Sequence, residues 1–291
     1  MARVLRADMA RTNTDINYRE KEFPMTDQDF QRIAKLAGQY TGIVLGEQKR
    51  DMVYGRIARR VRKLQLVSFC SYLDYLEGNL KEELSNFINV ITTNLTSFFR
   101  ENHHFDYLLK TVLKEVKKKN GASKKVRIWS AGCSTGMEPY SIAMTLQKFG
   151  LPSDWDVKIL ATDLDSEVLA KATSAIYSST EVDGLEEQTI KNYFQRNDVR
   201  KEVKIKDKVS QYLHFKRLNL LESWPMKGPF DFIFCRNVVI YFDKPTQKVL
   251  FDRYAEMLDL GGYLFIGHSE NLHGISDRFE NLGNTIYRKV R

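Results

Sequence analysis

In the stretch Val126–Leu146, VRIWSAGCSTGMEPYSIAMTL, a run of strand character breaks at a loop of small residues and resumes as a helix. Gly132 and Gly136 let a ligand come close to the backbone there. Two phosphate-holding patterns are excluded. No third glycine completes GxGxxG, and Met137 and Glu138 stand where GxxxxGK[ST] needs a lysine and a hydroxyl. Pro139 suits a first helical turn, so Glu138 stands beside a helix N-terminus, where a carboxylate is favoured and would repel a phosphate. The loop therefore suits a ligand that lacks phosphates and carries positive charge. Further on, Asp163 ends a second apolar strand in VKILATDLD. An acid at that place accepts hydrogen bonds from both hydroxyls of a ribose. It could also cap the following helix, but Asp165 or Ser166 can do that instead.

These residues need a scaffold that gathers the ends of several strands. Thr26 and Asp29 predict a capping box that opens a helix through FQRIAKLAGQY. From there to about residue 100 the pattern is helical, with no convincing strand. Beyond the lysine-rich KEVKKKNGASKK, strands and helices alternate. VRIWSA and VKILATDLD read as strands, EVLAKATSAIY as a helix, and FDFIFCRN as a third strand. PTQKVLFDRYAEMLDL reads as a helix stopped by Gly261 and Gly262, with YLFIGHSE and NTIYRKV as closing strands. Such alternation predicts an α/β fold with a parallel sheet covered on both faces, and ligands bind such sheets at the carboxyl ends of the strands. Between Tyr177 and Phe215, VKIKDKV and YLHFKRL read as short strands of a small antiparallel insert at about 178–215. A ribose-bearing ligand with a positive centre and no phosphates, held in such a fold, is S-adenosylmethionine.

Composition sets the outer limits. The chain has 291 residues, 43% hydrophobic and 12% aromatic, which excludes a largely disordered protein. Its formal charge of +8 points to an acidic partner without choosing among nucleic acid, membrane surface and protein. Cys70, Cys133 and Cys235 are far apart and odd in number, so no disulfide framework or zinc ribbon is implied, and a cytoplasmic location is expected. Residues 1–24 are polar and read as a loose leader with no signal-peptide character. No run is long and apolar enough to cross a bilayer, so no direct membrane insertion is expected. Five histidines show no i, i+4 pair, and for adjacent His103 and His104 a structural or capping role is expected rather than a metal site.

The segments TNLTSFFRENHHF, SAGCSTGMEPYSIAM, ATDLD, GPFDFIFCRNVVIYFD and GGYLFIGHSEN resemble, in order, those of the bacterial chemotaxis receptor methyltransferases, the CheR family, from about residue 26 to the C-terminus. The resemblance implies transfer of a methyl group from S-adenosylmethionine to glutamate side chains on the cytoplasmic helices of transmembrane chemoreceptors. A glutamate methyl ester and S-adenosylhomocysteine would result. It also implies a helical N-terminal domain (25–100) joined to a Rossmann-like methyltransferase domain (101–291) with a small antiparallel β insert, acting as a monomer without a metal.

Carried over by position, the family's cofactor contacts fall on Asn94, Thr96, Arg100, Glu138, Asp163, Asn219, Leu220, Arg236 and Asn237. The resemblance places Arg100 and Tyr241 at the transferred methyl as catalytic residues. Each has a plainer reading: a turn residue for Asn219, a sheet-edge cap for Arg236, a surface ion pair for Arg100, a core aromatic for Tyr241. The chemistry itself asks little. A glutamate carboxylate has a pKa of about 4.3, so at neutral pH it is already a nucleophile and needs no general base. Alignment alone can contribute roughly 7 to 11 kcal/mol.

On a helix, Arg56, Arg59, Arg60 and Lys63 of the basic segment Lys49–Lys63 share one face and Val53, Ile57, Val61 and Leu64 another, so the four cations are expected to bind acidic receptor helices. The insert has no glycine from Leu185 to Lys227, which argues against a tight hairpin turn there and against capture of a receptor's C-terminal peptide. A nucleic-acid methyltransferase is the rival enzyme, but CRNVVIYF lacks the Pro-Pro-aromatic signature of amino-group methylation. A non-enzymatic cofactor sensor is the other rival, and Arg100 with Tyr241 argues against it.

Overall fold

The computed structural model describes residues 22–291, so the expected leader at 1–24 lies outside the described residues apart from Glu22, Phe23 and Pro24. The capping box forms. Thr26 accepts from the Asp29 amide and Asp29 accepts from the Thr26 amide at the start of α1 (Asp27–Thr41). Three further helices follow, α2 (Arg50–Lys63), α3 (Phe69–Gly78) and α4 (Leu80–Ile91). Their apolar stripes meet in one core, where Ile33, Val53, Ile57, Tyr72 and Phe87 are buried. A segment of α5 (His103–Tyr107), a π-helical turn (Leu108–Val112) and α6 (Leu113–Lys119) leads to the sheet.

Seven strands form the large sheet: β1 (Lys125–Ala131), β2 (Asp156–Asp163), β6 (Leu213–Arg217), β7 (Phe230–Cys235), β8 (Leu258–Ile266), β9 (Phe279–Asn281) and β10 (Ile286–Lys289). Their order is β6-β2-β1-β7-β8-β10-β9; the first five run parallel, and β10 is antiparallel to both β8 and β9. Every residue of β7 is buried, as an inner parallel strand requires. Helices α7 (Met137–Phe149), α8 (Ser166–Ser174) and α11 (Lys244–Met257) make the crossovers. Chain order reverses at β1, with β2 on one side and β7 on the other, and this is where a crevice opens. The helical region is fastened to this end: Asn89 donates to the Ser166 hydroxyl at 3.1 Å, and Thr92 and Asn94 donate to the Asp165 carboxylate, each at 2.7 Å.

A second sheet holds β3 (Ile176–Ser178), β4 (Phe194–Asn197) and β5 (Glu202–Ile205) in the order β3-β5-β4, both pairs antiparallel. The small antiparallel insert is therefore present, and four details differ from expectation. AIY does not continue α8: Ala175 turns left-handed at φ 57° and Ile176–Ser178 pairs with β5. VKIKDKV is a strand only through Ile205, after which Asp207–Ser210 coils into the short α10 and still buries Val209. YLHFKRL leaves the insert altogether, because β6 pairs parallel with β2 as an edge of the large sheet. Alternation identifies a strand but not its partner. Last, α11 stops at Met257, where the chain becomes extended, so Gly261 and Gly262 lie inside β8. The hairpin from β4 to β5 also forms without glycine, since Lys201 itself takes φ 51°. The geometric half of the argument against a peptide-gripping insert fails on that residue. Between β3 and β4 lies α9 (Glu187–Tyr193).

Candidate active site

At the carboxyl ends of β1, β2 and β7 a cleft holds about 950 Å³ of space, open solvent at its mouth included. The structure brings to its wall all nine residues expected to contact a cofactor, together with Tyr241. One side is the loop after β1. Gly132 takes φ 89°, and a Cβ there would lie 2.3 Å from the Val238 side chain, so only glycine lets the β1 and β7 loops close on each other. The close approach is thus to protein on this side of the loop. Cys133 is fully buried and its thiol is pushed well up by that burial, leaving an inert thiol.

Asp163 is half-buried and ends β2 as anticipated. Its two oxygens accept from the backbone amides of Ser134 (2.7 Å) and Asp165 (3.0 Å), while Asp165 is the residue that caps α8. Enclosure pushes the Asp163 carboxyl up to about 6, against the pull of those amides. A carboxylate oxygen has a second lone pair, so each can still accept from a ribose hydroxyl.

Glu138 is buried on the first turn of α7 and accepts from the Ser130 hydroxyl at 2.7 Å. Its other oxygen meets the Arg236 guanidinium at 3.3 Å. Burial raises the Glu138 carboxyl above its ordinary value, and Arg236 opposes that rise. Arg236 is no edge cap. Its side chain is 2% exposed, and it also faces Glu101 at 3.2 Å and donates to the Arg100 carbonyl. Asn237 follows in the left-handed region at φ 59°, and its amide and those of Val238 and Ile240 all donate to the buried Glu270 carboxylate, at 3.0, 2.9 and 3.3 Å.

Asn94 spans the helical region and the cleft, its carbonyl accepting from Ser134 and its amide donating to Asp165. Asn219 donates to the Tyr40 carbonyl at 3.0 Å, and Leu220 joins the core beneath α11 while lining the cleft. Arg100 donates to the Leu95 carbonyl at 2.8 Å and has no carboxylate within ion-pair reach among the described residues. Tyr241, half-buried, carries the Lys49 ammonium 5.0 Å from its ring centre. Thr41, Ile43, Val238 and Phe242 are among the further lining residues that were not anticipated. Nothing local marks Thr41 and Ile43, which reach the cleft only because α1 ends there. The lining fits S-adenosylmethionine: one acid, Glu138, rather than a phosphate-binding cation after the glycine loop, Asp163 at the end of β2, three Asn amides, and apolar patches at Ile43, Leu218, Leu220 and Phe242.

Beyond Thr92, which lines both, the cleft continues into a groove edged by Arg56, Arg59, Arg60, Lys63, Asn86, Asn89 and Glu167. The four cations do share it, but they are not four free charges. Arg60 makes a two-pronged pair with Glu83, which is 1% exposed and also accepts from Tyr72. Arg56 turns inward and donates to the Val90, Ile91 and Thr92 carbonyls at the end of α4. Only Arg59 and Lys63 are exposed and without a carboxylate partner among the described residues. The acid that consumes Arg60 comes from another helix, which the local sequence does not display. Among the described residues no group of three or more His, Cys, Asp or Glu is placed to hold a metal ion, and no helix is long and apolar enough to cross a membrane. His104 is buried and lies 2.9 Å from the Asn284 carbonyl.

A parallel sheet with a switch-point cleft of this composition is the architecture of the S-adenosylmethionine-dependent methyltransferases. Two family models match the chain: the CheR methyltransferase all-alpha domain over residues 28–92 and the CheR methyltransferase SAM binding domain over residues 94–288. The chemotaxis protein methyltransferase of Escherichia coli strain K12 is 45% identical over 269 residues, 90% of this chain and 91% of that protein. That of Salmonella typhimurium is 45% identical over 90% of each chain, and chemotaxis protein methyltransferase 2 of Pseudomonas aeruginosa is 40% identical over 92% of this chain and 95% of its own. The chain belongs to the CheR methyltransferase family and is an S-adenosylmethionine-dependent methyltransferase.

Proposed function

We propose that the protein methylates glutamate side chains on the cytoplasmic helices of chemoreceptors, forming methyl esters in chemotactic adaptation. The observation that carries this reading is that Arg100, a guanidinium without a carboxylate partner among the described residues, and the phenol Tyr241 both line the cleft, which shares Thr92 with a groove edged by cations. S-adenosylmethionine, when bound, supplies the activated methyl. Asp163 would accept from its ribose hydroxyls, while Glu138, Asn94, Thr96, Asn219, Leu220, Arg236 and Asn237 would shape the rest of its seat. Arg100 and Tyr241 would turn one oxygen of an already ionised glutamate towards the methyl, a task of alignment rather than proton transfer. Arg59 and Lys63 would steer the acidic receptor helix in. Arg56 and Arg60 would hold the groove's shape, which revises the expectation that all four bind substrate.

The test is incubation with labelled cofactor and either receptor cytoplasmic fragments or RNA, followed by mild base. Base-labile label on the receptor supports the proposal. Base-stable label on RNA would replace it with the rival reading that the charge of +8 favours. A cytoplasmic monomer that needs no metal, with a helical domain at 25–100 and a methyltransferase domain at 101–291, is part of the same proposal, and sedimentation and limited proteolysis address it.

A further inference from the structure

Three loops meet behind Arg100, and one acid touches all of them. Glu101 is 11% exposed in its side chain. Its Oε1 accepts from the His268 ring and amide nitrogens at 2.9 and 3.3 Å, and from the Asn237 side-chain amide at 3.4 Å. Its Oε2 lies 3.2 Å from the Arg236 guanidinium, which in turn donates to the Arg100 carbonyl and meets Glu138. Glu101 thus ties the segment carrying Arg100 to the loop after β7, which carries Asn237 and Tyr241, and to the loop after β8, which carries His268.

The backbone shows why such a tie is needed. Phe99 and Glu101, the two neighbours of Arg100, take φ 52° and 55°, a left-handed region that crowds the Cβ of any non-glycine residue. Nothing in a TSFFREN sequence favours that conformation, so outside contacts must impose it. Phe99 is held by the Ser141 hydroxyl at 2.9 Å. On the other side of Arg100 the hold is Glu101, through Arg236, Asn237 and His268.

We propose that Glu101 is a positioning residue for methyl transfer: by bridging the Arg100 segment to the loops after β7 and β8, it keeps Arg100 and Tyr241 in register across the cleft. It is not among the residues that line the cleft and would act through Arg236 and the backbone of residues 99–101. The proposal rests on the methyl-transfer reading of the same cleft.

The experiment compares the parent with Glu101→Gln and Glu101→Asp in the full chain. Hydrogen exchange of the cofactor-product complex is measured first and needs no receptor. Glu101→Gln keeps an acceptor for His268 but removes the charge facing Arg236. Its amides at 97–101 and 236–241 are expected to exchange at least tenfold faster, with α1–α4 unchanged. Parental exchange at both segments would overturn the proposal. Turnover on receptor fragments is measured second, per folded molecule: kcat should fall tenfold or more in Glu101→Gln and less in Glu101→Asp, with KM for receptor within twofold of the parent. Unchanged kcat, or a rise in KM alone, would overturn it. If Glu101→Gln does not fold, Glu101→Asp carries both measurements, and parental exchange or unchanged kcat in that variant overturns the proposal equally. A parent that makes no base-labile ester counts against the receptor reading, while the exchange data still judge the bridge.

Discussion

Arginines build both the cleft wall and the outer face of α2, and comparing the two shows how charge is divided between architecture and function. In the cleft, Arg236 is buried between Glu138 and Glu101, and its consumption by those acids leaves Arg100 as the lining arginine without an acid partner among the described residues. On α2, half-buried Arg60 pairs with the buried Glu83 and half-buried Arg56 with the end of α4, leaving Arg59 and Lys63 exposed. In each place an inward arginine fixes the frame and an outward cation is free to meet a partner. Counting cations along a helix face overestimates the charge on offer, because the acids that consume them come from distant segments. Removing the inward arginines should therefore cost stability, and removing the outward cations should cost recognition.

The largest effect expected is on Arg60. Breaking a buried pair by removing one partner leaves an uncompensated buried charge, typically a loss of about 3 to 5 kcal/mol. Arg60→Ala should lower unfolding free energy in urea by that order, whereas Arg59→Ala should stay within about 0.5 kcal/mol of the parent. Equal stabilities for the two variants would erase the distinction between inward and outward arginines.

Next come the cleft residues. Tyr241→Phe should lower turnover with cofactor affinity nearly intact, while Arg100→Ala should harm both. A hydrogen bond to a charged group is worth about 1.5 to 3 kcal/mol, hence on the order of 10- to 100-fold in turnover for Tyr241. Tyr241→Phe with weakened product binding and full turnover would reverse the assignment. Asp163→Ala should weaken cofactor binding by a similar amount in titration calorimetry, and it also strands the Ser134 and Asp165 amides.

A pH dependence follows from Asp163, whose carboxyl is raised to about 6 from an ordinary value of 3.8. Between those values the folded ligand-free protein holds a proton that the unfolded chain has released. This group's contribution to stability therefore falls as pH rises through that window, and above pH 6 its ionised form is the better acceptor. Affinity for S-adenosylhomocysteine should decline as pH drops below about 6, by at most about tenfold per unit, and Asp163→Asn should flatten the profile. A parent profile that stays flat across that window and for about a unit above it would show that Asp163 does not receive the ribose.

Much of this was legible in the sequence because it is local. The Thr26–Asp29 box, the break at Gly132, the acid at the end of β2 and the apolar run of β7 are each specified by neighbours in the chain. What was not legible is pairing across distance. The sequence of β6 alternates correctly yet gives no sign that β2 rather than the insert is its partner. Glu101 and Glu270 lie within segments typical of the family, but their work consists of bonds to residues more than a hundred and about thirty positions away, respectively. Lys201 shows the converse limit: a propensity argument against a turn is overridden where strand pairing offsets the cost of a left-handed residue.

The smallest effect expected lies on the outward side of α2. Arg59 and Lys63 are exposed cations, and a rim charge acts mainly on encounter, so each should contribute only about 0.2 to 1 kcal/mol to binding. Reversing both to Glu should raise KM for receptor fragments several-fold at low salt and leave stability, cofactor affinity and kcat alone. Screening shortens the reach of such charges to about 8 Å at physiological ionic strength, so the difference from the parent should shrink as salt is added. The pair of residues reversed decides what the result means. Reversing Arg59 together with Arg60 would mix a recognition effect with loss of the Glu83 pair, and the protein could lose activity by unfolding. With Lys63 in place of Arg60, a raised KM reads as docking. An unchanged KM across the salt range would leave the groove as solvated surface and require the receptor helix to enter from the other side of the cleft.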